Sequence, residues 1–77
     1  MENLLCNSNL GEYLVIHKLK DSSFRVKMME MGLIEGKRLK ILFRAPFGGP
    51  IAIDVEGYTL SLRMDEAMLV IVKKLAD

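Results

Sequence analysis

The chain has 77 residues, enough for one domain over residues 1–77 and too few for a second hydrophobic core. Hydrophobic residues make up 51% of it, and its 11 basic and 10 acidic residues leave a net charge of +1. A dedicated nucleic-acid-binding domain is usually strongly basic, so this balance argues against one. The sequence has no apolar run near the roughly 20 residues that span a bilayer and no signal-peptide pattern at its start, so we expect a cytoplasmic protein.

The first half of the chain predicts a strand followed by a helix. The segment Tyr13–Leu19 is rich in strand-favouring residues and too short for a well-supported helix. Potential N-caps occupy positions 21–23, and Phe24, Met28 and Met31 then recur at i, i+4 and i+7. This spacing predicts an amphipathic helix of about two and a half turns whose apolar side packs on the core.

Two glycines, Gly32 and Gly36, mark the end of that helix and the start of the next strand. Glycine adopts a left-handed conformation without a steric penalty, so Gly32 is predicted to end the helix and to bring Leu33 against Met28. Gly36 is predicted to complete the turn. Both glycines are therefore interpreted as structural residues.

The segment that follows Gly36 alternates between apolar and basic residues. Leu39, Ile41 and Phe43 are predicted on one face and Leu42 on the other, because successive side chains of a strand point to opposite sides. The pattern is typical of a sheet with one face in water.

The loop Ala45–Pro50 is predicted from its two prolines and two glycines, with Phe47 at its tip. Gly57 lies between two alternating runs, which indicates a hairpin with a two-residue connection. The remaining elements are predicted as the two hairpin strands, one helical turn and a last strand, at 51–55, 58–63, 64–68 and 69–73.

These elements add up to about five short strands, one short helix after the first strand and a helical turn before the last strand. Short strands in an open sheet leave edges unpaired and cannot each cover a core face. The economical solution is a small curved barrel that closes on itself. We therefore predict an all-β fold.

With these motifs in order, the sequence resembles the FeoA family, the small cytosolic component of bacterial ferrous iron uptake. The resemblance covers about residues 10–72, although Glu35 stands where the usual pattern has proline. It implies an SH3-like barrel without enzymatic activity or cofactor that acts with FeoB, a membrane permease whose cytosolic part carries a G domain. The motifs are Gly11, Met31-Gly32-Leu33, Gly36, Ala45–Ile51, Val55–Tyr58, Leu62-Arg63, Glu66-Ala67 and Ile71-Val72.

A protein-binding surface is predicted from the two turns that flank the alternating strand. Small barrels bind extended partners between loops, and apolar residues in loops are candidates for such contacts. The partner-binding candidates are Leu33, Ile34, Pro46 and Phe47, with Gly32, Gly36 and Gly57 as structural turn glycines. The alternative for Leu33 and Ile34 is that they close the end of the barrel.

Other function classes have weaker support in the sequence. One histidine, His17, and one cysteine, Cys6, are too few for a closed zinc site or a hydrolytic triad, so no metal or catalytic residue is assigned. The alternatives are a nucleic-acid-binding barrel and a stand-alone interaction domain like that of iron-dependent repressors. The first would use a basic face, formed by Lys18, Lys20, Arg25, Lys27, Lys37, Arg38, Lys40 and Arg44. Self-association of the chain is a further alternative.

Overall fold

The structure is a computed structural model that describes residues 3–75. Within these residues it contains β1 (Asn3–Leu4), β2 (Tyr13–Leu19), α1 (Arg25–Glu30), β3 (Arg38–Arg44), β4 (Ile51–Val55), β5 (Tyr58–Leu62), α2 (Met64–Ala67) and β6 (Val70–Lys74). The strands form one antiparallel sheet in the order β1-β6-β2-β3-β4-β5. The predicted all-β fold is confirmed, with the helix and the helical turn where the sequence placed them. The very short β1 is a sixth strand that was not predicted.

The core lies on one face of this single sheet. Alternate residues of the long strands point to it, so the sheet has to curve around the side chains that it buries. The α1 helix contributes Met28 and the turn after it contributes Leu33, and both are fully buried. The strands contribute mainly Leu14, Ile16, Leu39, Ile41, Ile51, Ile53, Val55, Leu62, Val70 and Val72.

The N-terminal segment packs under the end of β3. A short 3-10 helix, Leu5–Asn7, follows β1 and buries Leu5 and Cys6. The guanidinium of Arg44 donates hydrogen bonds to two carbonyl oxygens of this segment, those of Cys6 (2.7 Å) and Ser8. A helix leaves its last carbonyls unpaired, and here an arginine from a distant strand satisfies them.

The α1 helix is shorter than predicted and starts differently. Ser22 accepts a hydrogen bond from the Phe24 amide through its hydroxyl oxygen (3.1 Å), but the helix begins only at Arg25 and has no side-chain cap. Phe24 lies before the helix and is 40% exposed, so its predicted place on the apolar helical face is wrong. Helical spacing applies only inside the helix, which explains why Met28 is buried and Phe24 is not.

The α2 helix is a single turn whose N-terminal end is capped by Glu66. One carboxylate oxygen of Glu66 accepts the Arg63 amide (2.9 Å), and the other lies 3.8 Å from the ammonium of Lys27 in α1. The carboxylate thus caps its own helix and joins it to α1. Neither helix, nor any other helix in residues 3–75, is long and apolar enough to cross a bilayer.

Candidate protein-interaction surfaces

The C-terminal end of α1 is closed by two hydrogen bonds to its last carbonyls. The Gly32 amide binds the Met29 carbonyl and the Leu33 amide binds the Met28 carbonyl, both at 3.0 Å. Gly32 has a φ of +95°, the left-handed conformation that this helix ending requires. The pattern also brings Leu33 back over the last turn of the helix, as the sequence indicated.

A second constraint on Gly32 comes from Tyr58, the first residue of β5. The Tyr58 hydroxyl donates a hydrogen bond to the Met31 carbonyl (2.9 Å) and covers the α-carbon of Gly32. A side chain at position 32 would collide with the Tyr58 hydroxyl oxygen and ring carbons. The β4–β5 hairpin is therefore anchored on the end of α1.

The two apolar residues after Gly32 have opposite environments. Leu33 is fully buried in the core, so its prediction as a partner-binding residue is wrong, whereas Ile34 is 44% exposed. Ile34 lines a shallow pocket together with Met29 of α1, whose side chain is also exposed. We call Met29 and Ile34 the helix surface.

The loop between β3 and β4 presents Phe47 at its tip. The Gly49 amide binds the Pro46 carbonyl (3.2 Å), and the two residues between them, Phe47 and Gly48, have φ values of +59° and +72°. Positive φ is a steric outlier for a bulky residue such as phenylalanine. The Phe47 side chain is fully exposed, and Pro46 is exposed beside it.

A β-bulge in β3 changes the face of the residues before this loop. Phe43 pairs with Ala52, and the preceding Leu42 is the extra residue, so both side chains oppose Ala52 on the outer face of the sheet. The prediction that Phe43 shares a face with Leu39 and Ile41 is therefore wrong, and Phe43 is 57% exposed. Arg44 pairs with the buried Ile51 and takes the inward position instead.

The exposed apolar residues at or next to the bulge and the loop are Leu10, Leu42, Phe43 and Phe47, and we call them the loop surface. Leu10 belongs to it because the next residue, Gly11, binds the Ile41 carbonyl through its amide (2.8 Å), beside the bulge. Sequence analysis found only Phe47 of this set. The consecutive apolar pair Leu42-Phe43 in an otherwise alternating strand is the signal that indicates the bulge.

The helix surface and the loop surface are separate. Ile34 precedes β3 and Phe47 follows it, and a strand of seven residues is about 20 Å long. The four candidates predicted from the sequence therefore do not form one compact site. Phe47 lies on the loop surface with the exposed Pro46 next to it, Ile34 lies on the helix surface and Leu33 lies in the core.

Glu56, in the turn of the β4–β5 hairpin, is held by its own chain. It has a φ of +46° and is followed by Gly57 at +107°. Its carboxylate accepts the Arg38 amide (2.9 Å) and lies 3.5 Å from the ammonium of Lys37. The hydrogen bond from Arg38, assisted by the charge of Lys37, lowers the pKa of Glu56 below its ordinary value. Asp54 accepts the Gly57 amide and completes the turn.

Most of the basic side chains that would form a nucleic-acid-binding face have partners within the chain. Lys37 lies near Glu56, and Arg44 binds backbone carbonyls. Residues engaged in this way are poorly placed to form a continuous positive face. The other contacts are Arg25 with Asp21, Lys27 with Glu66, Lys74 with Glu12, and Lys40 with the ring of Tyr13.

No group of three or more His, Cys, Asp or Glu side chains in residues 3–75 is placed to hold a metal ion. His17 lies at an irregularity in the β2–β6 pairing, and Cys6 is buried under the core.

The family model of the FeoA domain matches residues 4–74, almost the whole chain. The chain belongs to the FeoA family. It is 32% identical to a FeoA-like protein from Clostridium acetobutylicum, with a TM-score of 0.88 over 99% of this chain and 90% of that one. No curated protein sequence matched the chain. The family supports a role in ferrous iron transport.

Two more distant structures share the fold. Stenotrophomonas maltophilia FeoA, an SH3 domain protein complexed with zinc, is 23% identical with a TM-score of 0.79 over 95% of this chain and 89% of that one. A manganese-dependent transcriptional repressor is 21% identical with a TM-score of 0.88, over 96% of this chain and 42% of that one. At these identities the likeness shows the SH3-like fold alone.

Proposed function

We propose that this FeoA-family chain is a non-enzymatic, cytoplasmic accessory protein of ferrous iron uptake that binds the cytosolic part of a FeoB-type permease. The contact is made by the loop surface. Phe43 and Phe47 are its main anchors, because aromatic side chains supply most of the binding energy in many interfaces. The family match and the absence of a metal-binding cluster in residues 3–75 direct the proposal toward protein contact.

Phe47 carries this proposal. A phenylalanine at positive φ costs on the order of 1–3 kcal/mol, and such strain is concentrated at functional sites. Within residues 3–75 its fully exposed ring gains no burial that would offset the cost. A partner that covers the ring supplies the missing stabilisation.

The surroundings of Phe47 also favour a protein partner. From Leu42 to Ala52 the chain has no acidic residue and only one basic residue, Arg44, whose guanidinium faces the N-terminal segment. A partner that covers this region therefore displaces water from apolar groups and desolvates few charges. Interface centres are depleted of charged residues for the same reason.

The test is co-purification of the FeoB cytosolic domain with variants of this chain. Phe47→Ser is expected to weaken binding about 30-fold or more, as for an aromatic hot spot worth about 2 kcal/mol. Phe43→Ser is expected to weaken it less, because Phe43 is only partly exposed. In cells, the same variants are expected to reduce ferrous iron uptake in that order.

Ile34→Ser on the helix surface is the matched control. It also replaces an exposed apolar residue by serine, and we expect it to bind the FeoB domain like the wild type. Circular dichroism establishes that each variant is folded. Retained binding by a folded Phe47→Ser variant, or loss of binding by Ile34→Ser alone, would contradict the proposed surface.

A further inference from the structure

The strand β5 is an edge of the sheet, and part of its backbone has no partner. In a two-residue hairpin the residues next to the turn exchange both hydrogen bonds, so Tyr58, Leu60 and Leu62 bond to β4. The amides and carbonyls of Thr59 and Ser61 then point away from β4. Within residues 3–75 these four groups have no backbone or side-chain hydrogen-bond partner.

A groove lies beside the Ser61 end of this free edge. It is lined by Phe24, Lys27 and Met31 on the α1 side, by Ser61 and Arg63 on the strand side, and by Asp65 and Glu66 of α2. The next residue inward on the strand, Leu60, and Met31 are partly buried against the core. The groove thus combines an unpaired strand edge with apolar side chains at the depth of the sheet, the arrangement by which proteins bind extended segments as an added strand.

The Arg63 end of the groove offers one cation to an acidic segment. The carboxylate of Glu66 is already engaged by the Arg63 amide and by Lys27. Asp65 accepts the amide of Glu66. The exposed side chain of Arg63 has no ion pair with any residue of the described part of the chain, so a carboxylate of a partner can pair with it without displacing an existing contact.

We propose that the free edge of β5 binds an extended segment of another protein by strand addition. The segment pairs with Thr59 and Ser61 through up to four backbone hydrogen bonds. The residue between its two paired positions is apolar and faces Leu60 and Met31, and an acidic residue follows near Arg63. This site is independent of the loop surface and extends the proposed function to a second contact.

A second copy of the chain is a poorer occupant of the edge. Its own β5, Tyr58–Leu62, contains no acidic residue, and Arg63 follows it. Antiparallel pairing of two such strands about Leu60 sets Arg63 opposite Gly57, and the neighbouring Glu56 already binds the Arg38 amide. In such a dimer no available carboxylate of the second copy would lie opposite Arg63.

The test uses a synthetic peptide of alternating valine and threonine with a glutamate at each end, added to the ¹⁵N-labelled chain. Binding is expected to shift the amide signals of Thr59 and Ser61 and to protect them from hydrogen exchange. Ser61→Pro removes an amide that does not bond to β4, which an edge strand tolerates. We expect it to weaken peptide binding about tenfold or more, whereas Ser61→Ala, which keeps the amide, binds like the wild type.

A peptide with lysines in place of the glutamates is expected to bind several-fold more weakly. The proposal is overturned if the glutamate peptide causes no saturable shifts at millimolar concentration, or if a folded Ser61→Pro variant binds it as the wild type does. It is also overturned if the chain without peptide pairs through β5, seen as dimers in sedimentation that Ser61→Pro abolishes. Phe47→Ser is expected to leave peptide binding unchanged, which separates this site from the FeoB contact.

Discussion

Two turns of this molecule both contain consecutive residues at positive φ, but the side chains of these residues have different environments. In the β4–β5 hairpin, Glu56 and Gly57 have consecutive positive φ values, and in the loop after β3, Phe47 and Gly48 do so as well. The carboxylate of Glu56 forms contacts within its own chain, with the Arg38 amide and the ammonium of Lys37. Phe47 points its ring entirely into solvent.

The difference separates a structural turn from a functional one. Strain at Glu56 is offset within the folded chain, so the turn is explained by stability alone. Strain at Phe47 has no such offset among the described residues. A strained residue without a stabilising contact inside the fold indicates a stabilising contact with a partner. The hairpin turn is also tied to α1 through Tyr58, whereas the Phe47 loop is closed only by its own backbone.

The largest effect is expected at Gly32, where the hairpin is anchored through Tyr58, and a smaller one at Gly48 in the Phe47 loop. Gly32→Ala places a methyl group both at positive φ and against Tyr58, and we expect it to lower the free energy of unfolding by about 2–4 kcal/mol. Gly48 also has a positive φ, but there is open space around a new methyl group, so a loss of about 1 kcal/mol is expected for Gly48→Ala. Chemical denaturation measures both. Equal losses would show that the anchoring by Tyr58 does not constrain position 32.

Replacing each strained residue by glycine is expected to change stability in opposite directions in the two turns. Phe47→Gly relieves the strain and loses no buried area, so we expect the chain to become more stable by about 0.5–1 kcal/mol. Glu56→Gly relieves a similar strain but loses the bonds to Arg38 and Lys37, and we expect lower stability at neutral pH. Thermal unfolding of the two variants under one condition decides this. Destabilisation by Phe47→Gly would mean that the Phe47 ring makes stabilising contacts within the folded chain.

Much of the fold could be predicted from local patterns. Strand-favouring residues located β2, alternation located β3, β4 and β5, and the glycines at 32, 36 and 57 marked turns where the structure has positive φ. The bulge at Leu42 was not predicted. The alternation rule assumes that each residue pairs with one partner, and a bulge inserts an extra residue that shifts the following side chains to the other face. Its consequence, the inward turn of Arg44, depends on carbonyls of Cys6 and Ser8 that lie more than 30 positions earlier in the chain.

The candidate site was predicted only in part, for the same reason. Phe47 follows from its loop composition, but the loop surface also includes Leu10, whose neighbour Gly11 binds the Ile41 carbonyl from a distant part of the sequence. Leu33 and Ile34 are adjacent apolar residues in one turn, and nothing in their composition tells which is buried. The hydrogen bond from the Leu33 amide to Met28 decides it, because it turns Leu33 toward the core.

The smallest expected effect is a pH dependence confined to the Glu56 turn. The pKa of Glu56 is lowered in the folded chain, so the folded state binds a proton less readily than the unfolded state. Its contribution to stability is therefore full above the ordinary pKa of 4.5 and is lost as the pH falls through the lowered pKa of the fold.

Glu56→Gln isolates this contribution when its unfolding free energy is compared with that of the wild type from pH 7 to pH 2. The difference between the two proteins is expected to be constant near neutral pH and to shrink below about pH 4, because protonated glutamate then resembles glutamine. Glu35→Gln is the matched control, since Glu35 is exposed and has no ion pair with a residue of the described part of the chain. A difference for Glu56→Gln that stays flat to pH 2 would show that its carboxylate charge does not stabilise the turn, and the contrast with Phe47 would then rest on the Tyr58 anchor alone.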